Sequence, residues 1–407
     1  MKYILLIGDG MGDTPVPGLG ERTPLEVAVT PAMDRLARRS EMLLVRTVPE
    51  GYPPGSDVAN MSLLGFAPDT YYTGRSPLEA ASMGIDLGDD DLAFRCNLVT
   101  LQFSGDQVIM EDYSAGHITT GESRCLISAI QETCPAAHLR FYPGVSYRHC
   151  MVHNGPLPAG LETVPPHDHT GVDVTVHWHN YLQFDAFRQI IEHAGAVLAE
   201  HPVNRERIAR GLSPANAIWL WGEGRRPSMD PLHDLYGVDG ALVSAVDLLK
   251  GLAVLSGLEV LEVEGATGYL DTNYEGKTQA ALRALEEKDL AVVHVEAPDE
   301  TGHQGLAREK VQAIEDFDAR IVAPIAKEME RRGEPFRLVV TMDHYTPLNI
   351  RTHVDWPVPM FIYDSRGVEQ PSGLTYSEDN VKQAVAANGL HLPSGAAFFR
   401  RFVNQEV

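Results

Sequence analysis

The chain is poor in cysteine, in positive charge and in long apolar runs, and each shortage removes a class of protein. Its four cysteines, Cys96, Cys125, Cys134 and Cys150, are spread over 407 residues without a C-x-x-C pair. That spacing supports neither a disulfide framework nor a cysteine zinc site, and it predicts buried or partly buried thiols in a reducing compartment. Lysine and arginine number 33 against 56 aspartates and glutamates, a formal net charge of −23. A nucleic-acid binder needs a basic surface to displace phosphate counterions, and docking on anionic membranes needs the same sign of charge. Neither partner is expected. Small anionic substrates remain admissible, because bound divalent cations reverse the local field. No stretch reaches ~18 uncharged apolar residues, and the run Tyr3-Ile4-Leu5-Leu6-Ile7 is too short for a signal peptide or a membrane span. A soluble, cytoplasmic protein is expected.

What is present is enough apolar material for a large core. Hydrophobic residues make up 44% and charged residues 22%, and the length suits about two domains. Residues 3–7, Leu290–Val295, Phe336–Thr341 and Pro357–Tyr363 read as short buried strands. Between two of them, residues 306–332 carry helical periodicity in Val311, Ile314, Phe317, Ile321 and Ile325. Thr30-Pro31 opens another helix, with Thr30 as N-cap. Strands alternating with helices predict an α/β core with a mostly parallel sheet covered on both faces. From about residue 93 to 210 the pattern changes to short alternating strands, turns and many His and Pro residues. Ala217–Trp221 then reads as a return to buried strand. The expected division is a core of residues 1–79 and 211–407, with residues 80–210 inserted as a smaller α+β domain.

Chemistry-bearing residues collect where predicted strands end, which is where open α/β sheets bind ligands. Asp9 follows the first strand in Gly8-Asp9-Gly10. Asp299 and His303 form D-E-T-G-H, an i,i+4 pair that one irregular turn points at a single ion. Asp343-His344 follows another strand, and His353 lies nine residues further on. Carboxylate oxygen with imidazole nitrogen suits borderline divalent ions such as Mn²⁺ or Zn²⁺. Ser56, in Pro53-Pro54-Gly55-Ser56-Asp57 ahead of a predicted helix, is the candidate nucleophile. It needs activation, which a bound metal supplies, and the helix N-terminus favours a phosphate on it. The alternative is that Ser56 or Asp57 merely caps the helix.

Several segments together carry a resemblance. They are Gly8–Asp13, Thr23–Glu26, Gly55-Ser56-Asp57, Gly74–Ala80 (GRSPLEA), Phe94–Asn97, Ala266–Lys277 (ATGYLDTNYEGK) and Asp299–His303. The chain resembles the cofactor-independent phosphoglycerate mutases of the archaeal type, within the alkaline phosphatase superfamily, from Met1 to about residue 365. The resemblance implies an alkaline-phosphatase-like three-layer α/β/α core and two divalent metal ions, Mn²⁺ first, with Mg²⁺, Zn²⁺ or Co²⁺ as alternatives. It assigns Asp299, His303 and His353 to one ion, and Asp9, Ser56, Asp343 and His344 to the other. Ser56 would take the phosphoryl group from 3-phosphoglycerate, and the 2-hydroxyl of the reoriented glycerate would accept it. In the inserted domain and near it, Arg75, Arg148, His167, Asp168 and Lys277 are the candidates for holding the substrate, and His167-Asp168-His169 for moving a proton. The segment Ala217–Pro227, with Trp219 and Trp221, departs from this pattern and resembles a bacterial branch proposed to phosphorylate homoserine. A phosphatase is the third reading. The shared serine and metal ligands do not discriminate among the acceptors.

Overall fold

The computed structural model describes residues 1–134, 136 and 138–403. Among them the strands run, in chain order, β1 (Lys2–Gly8), β2 (Glu41–Val45), β3 (Asp91–Ser104), β4 (Gln107–Asp112), β5 (Leu139–Tyr142) and β6 (Arg148–Asn154). They continue with β7 (Ala217–Arg225), β8 (Gly240–Val243), β9 (Glu259–Val260), β10 (Leu290–Val295), β11 (Phe336–Thr341), β12 (Val358–Asp364) and β13 (His391–Leu392). The chain separates into two compact units. One is Met1–Tyr72 with Ser228–Val407, and the other is Thr73–Pro227.

The first unit is built on an eight-stranded sheet in the order β13-β2-β12-β11-β1-β10-β8-β9. Only β12 runs against its neighbours; the remaining pairings are parallel. Residue after residue is buried along β10 and β12, so both faces are covered, as a three-layer α/β/α core requires. The helix Tyr274–Glu287 packs on β8 and β10, and Glu378–Asn388 on β2 and β12. The predicted strands at 290–295 and 336–341 have their expected bounds. The predicted helix at 306–332 is interrupted: Ala307–Phe317 and Ala323–Arg332 flank a π-helical turn, Asp318–Val322. Asp318 has a use there. Thr30 occupies the N-cap of the helix Pro31–Ala37 without a side-chain cap bond, and the Asp318 carboxylate accepts from Ala32 N and Met33 N instead.

The second unit carries an antiparallel sheet in the order β4-β3-β6-β5, with β7 also paired to β3. This corrects the expected boundary. Ala217–Trp221 does form a buried strand, but it belongs to the second unit, where Trp219 and Leu220 lie in the core with Phe94 and Leu98. The core segments therefore end at Tyr72 and resume at Ser228 rather than at 79 and 211. Cys96 and Cys150 are buried and Cys134 half-buried as expected; Cys125 is exposed, and all four are free. Among the described residues no helix is long and apolar enough to cross a membrane.

One buried cation fixes the loops that follow β1 and β11. Lys310 is fully buried, and its Nζ donates to Gly12 O at 3.1 Å, Asp13 Oδ2 at 2.8 Å and Thr346 O at 2.8 Å. An ammonium has three hydrogens to give, so it is fully satisfied here. Asp13 in turn accepts from Leu348 N. Replacing Lys310 by Met leaves the Asp13 charge buried without its partner, and should cost about 3–5 kcal/mol in equilibrium denaturation; a change below about 1 kcal/mol would contradict the role given to it. In the second unit, burial alone holds His149 down at about 3, against an ordinary value of about 6.5. Its folded form therefore binds fewer protons than the unfolded chain between those values, and stability falls as the pH drops from 6.5 towards 3, by about 1.4 kcal/mol per unit. His149→Asn, which keeps an acceptor for Gly144 N, should flatten that slope in pH-dependent urea melts.

Candidate functional site

Three neighbouring parallel strands, β10, β1 and β11, end side by side. Asp9 comes directly after β1 and Asp343-His344 just after β11. Asp299 and His303 lie one turn apart on the helix Ala297–Gln304 that follows β10. This is a regular helix rather than the irregular turn expected. Ser56 is the first residue of the helix Ser56–Leu63; Gly55, not Ser56, is its N-cap. Two glycines let these pieces approach. Gly10 has φ +59°, and a Cβ there would stand 2.5 Å from Asp299 Oδ1 and Thr346 Oγ1. A Cβ on Gly302 would stand 2.7 Å from Thr346 O, which explains the glycine of D-E-T-G-H.

The seven residues assigned to the metals come together in the first unit. Around His344 Nε2 stand Ser56 Oγ at 3.0 Å, Asp343 Oδ2 at 3.4 Å and Asp9 Oδ1 at 3.5 Å. Donor counting assigns the ring's hydrogen. The single hydroxyl hydrogen of Thr346 goes to Asp299 Oδ1, so Thr346 Oγ1 accepts from His344 Nδ1 at 3.3 Å. Nε2 then carries a lone pair and accepts the Ser56 hydroxyl. Asp343 is held from several sides: Gly10 N and His344 N donate to Oδ1, and Asn60 Nδ2 donates to Oδ2. The same Asn60 nitrogen bonds Ser56 O, tying the serine's helix to Asp343.

Beside this group lies the second set. His303 Nδ1 donates to Arg351 O at 3.0 Å. That turns its Nε2 towards Asp299 Oδ2 at 3.2 Å and His353 Nε2 at 2.9 Å; His353 Nε2 is 3.5 Å from Asp299 Oδ1. The ring centroids of His353 and His344 are 4.0 Å apart, so the two sets adjoin. The donor atoms of Asp299, His344 and His353 lie within 4.8 Å of one another, as do those of Asp9, His294 and Asp343. His294 was not singled out by sequence. Its signal was a histidine inside an otherwise apolar strand.

The electrostatics fit cations. Burial, and then the Asp343 and Asp299 carboxylates, push Asp9 well above the ordinary carboxylate range, and Asp9 Oδ1 is buried without a hydrogen-bond partner among the described residues. Burial likewise holds His344 neutral, down at about 4. At His303 burial favours the neutral ring, but Asp299 outweighs it and lifts the ring to about 9. A positive charge is thus drawn to the point between Asp299, His303 and His353. An orphaned carboxylate oxygen, the neutral imidazole of His344 and carboxylates in contact make a donor set that fits a borderline divalent cation.

Lys277 belongs to the same unit but is fully buried, and its Nζ donates to His294 O at 3.0 Å. Burial lowers its pKa to about 8. Arg75, Arg148, His167 and Asp168 lie in the second unit. There the sequence missed Arg95, the centre of an arginine cluster. Arg95 donates to Glu79 Oε1 at 2.7 Å and lies 4.3 Å from the centroid of the Trp221 ring. Arg75 donates to the same oxygen at 3.0 Å. Burial, with Arg75 and Arg148, depresses Arg95 to about 10. One carboxylate thus faces three guanidinium groups, an arrangement suited to an anion. The His167 ring stands edge-on to Trp221 at 5.4 Å, and its Nε2 is 3.7 Å from Asp168 Oδ1. Trp219 and Trp221 are both core, as a buried strand requires, and Trp221 gives its N–H to Asn97 Oδ1 at 3.0 Å.

Mn²⁺ at ~100 times its dissociation constant should raise the thermal transition of the chelator-treated protein by roughly 5 °C. Asp299→Asn should lose most of that shift. An unchanged transition in differential scanning fluorimetry would contradict the cation reading.

A family model described as 2,3-bisphosphoglycerate-independent phosphoglycerate mutase matches residues 37–204. A relative of that name from Methanosarcina mazei is 50% identical over 382 residues, covering 94% of this chain and 95% of its own. One from Geobacter sulfurreducens, named a probable enzyme of the same kind, is 51% identical over 395 residues, covering 96% and 98%. Among solved structures, the cofactor-independent phosphoglycerate mutase of Thermoplasma acidophilum is similar with a TM-score of 0.61 at 27% identity, over 96% of this chain and 99% of its own. A Pyrococcus horikoshii protein reaches 0.82 at 29% identity, over 100% and 98%. Identity of about one half over nearly the whole length leaves one conclusion: the chain belongs to the 2,3-bisphosphoglycerate-independent phosphoglycerate mutase family.

Proposed function

We propose that this chain interconverts 3-phosphoglycerate and 2-phosphoglycerate through a phosphoserine at Ser56, with two divalent cations, manganese first, held by Asp299, His303 and His353 and by Asp9, Ser56, Asp343 and His344. The observation that carries this is the Ser56 hydroxyl on the bare Nε2 of His344, among three buried carboxylates. Bound cations would neutralise those carboxylates, ease ionisation of the serine and offset charge on the transferred phosphoryl group.

In the first half, Ser56 Oγ bonds to phosphorus as the bond from phosphorus to the 3-oxygen breaks. The phosphoserine then sits at the start of the helix Ser56–Leu63, whose N-terminal dipole end favours negative charge. In the second half, the 2-hydroxyl of the retained glycerate attacks and Ser56 is regenerated. The proton lost by the 2-hydroxyl matches the one gained by the 3-oxygen, so none is consumed. His167 with Asp168 is the proposed carrier of that proton. Arg75, Arg95 and Arg148 would bind the glycerate carboxylate, an anion that planar guanidinium groups fit. Lys277, fully buried with its Nζ on the His294 carbonyl, would act through that strand rather than by touching substrate. The mutase name borne by relatives at about half identity favours glycerate over homoserine as acceptor, and over water.

Ser56→Ala should lower 2-phosphoglycerate formation by roughly 10⁴-fold or more while keeping the part of the Mn²⁺-induced thermal shift that comes from the Asp299, His303 and His353 set. ³¹P NMR of 3-phosphoglycerate with Mn²⁺ follows the reaction. Inorganic phosphate in place of 2-phosphoglycerate would make the protein a phosphatase, and an active alanine variant would remove Ser56 as nucleophile.

A further inference from the structure

His294 is the one polar residue in β10, whose sequence is otherwise Leu, Ala and Val, and it is fully buried. Its Nε2 lies 2.9 Å from Asp9 Oδ2 and its Nδ1 3.1 Å from Ser244 Oγ. Two roles share these distances. The ring could offer a nitrogen lone pair to a cation beside Asp9 and Asp343, or it could donate a hydrogen bond to Asp9.

Counting hydrogens separates the two. Ser244 Oγ already accepts the backbone N–H of Val246 at 3.0 Å. Its other partner among the described residues is His294 Nδ1, so the hydroxyl hydrogen points at that nitrogen. A ring that accepts at Nδ1 carries its hydrogen on Nε2, and Nε2 donates to Asp9 Oδ2. The opposite tautomer would set an Nε2 lone pair against a carboxylate oxygen at 2.9 Å and leave the Ser244 hydrogen without an acceptor. With Oδ2 engaged, the orphaned Oδ1 is the oxygen left to face a cation. Lys277 holds the His294 backbone carbonyl, which secures this end of the strand.

We propose that His294 is a positioning residue: its Nε2–H holds Asp9 Oδ2 so that Oδ1 is presented to the cation, and Ser244 fixes the tautomer that allows this. The proposal rests on the two-cation reading above. A histidine that donates to a ligand carboxylate raises affinity by restricting the carboxylate to one pose, and removing such a partner typically costs 10–100-fold.

Mn²⁺ alone is the probe, by calorimetric titration of the full chain and by pulsed EPR of the nitrogen couplings of bound Mn²⁺. His294→Leu should weaken binding ~10–100-fold at one class of site. His294→Gln places an amide N–H where Nε2–H stands; it should restore most of the affinity and leave the coordinated-imidazole signal as in the wild type. Loss of a nitrogen coupling in the Gln variant would make His294 a ligand and overturn the proposal, as would wild-type affinity in the Leu variant. Should the Leu variant fail to fold, Ser244→Ala, which takes the hydrogen away from Nδ1, should also weaken Mn²⁺ binding; unchanged affinity there would overturn the proposal. A wild-type protein that binds no Mn²⁺ defeats the cation reading itself, whereas normal wild-type binding beside an unaffected Leu variant defeats the positioning role alone.

Discussion

The packing of Asp9, Asp343 and Asp299 into one buried site at the ends of three parallel strands is the constraint that the rest of the first unit answers to. Like charges out of water repel strongly, and burial adds a desolvation cost for each. The protein's own groups relieve this only in part. Asp343 receives two backbone N–H groups and Asn60, and Asp299 receives the Thr346 hydroxyl. Asp9 keeps a bare oxygen. Such a group of carboxylates, with the neutral His344 ring beside it, is incomplete as a protein interior and fits a cation site.

The scaffold around that constraint is rigid where ligands converge. Lys310 satisfies its three hydrogens on the loops after β1 and β11, so the Asp9 loop and the Asp343–Thr346 loop are held against one another by a buried charge. Thr346 then links the two groups of candidate ligands, giving its hydrogen to Asp299 and accepting from His344. The same hydroxyl sets the His344 tautomer, and that tautomer decides that the Ser56 proton has somewhere to go. Geometry at Ser56, the proposed nucleophile, thus depends on Thr346, whose hydroxyl bonds Asp299 and His344.

Much of this was legible in the sequence, for definable reasons. Leu290–Val295 and Phe336–Thr341 are largely apolar runs of strand length, each with few polar residues, and doubly covered parallel strands need that pattern. Polar residues directly after such runs mark strand ends, so Asp9, Asp343 and His344 stood out. His294 did not, because it lies inside its run and its partners, Asp9 and Ser244, are remote in sequence. Arg95 escaped for a similar reason: Glu79 and Trp221 reach it from other elements. The division between the units was misread at Ala217–Trp221, since a buried apolar strand looks the same whichever sheet it joins; the register with β3 decides it. Local capping failed at Thr30, where Asp318 from a distant π turn supplies the acceptor.

The central claim is that the buried carboxylates and imidazoles form two adjoining cation sites sharing one nucleophile. Anomalous diffraction at the manganese edge from crystals grown with Mn²⁺ tests it directly. The account predicts two peaks, one among Asp299, His303 and His353, the other among Asp9, Asp343, His344 and Ser56 Oγ. A single peak, or manganese lying away from Ser56, would contradict it.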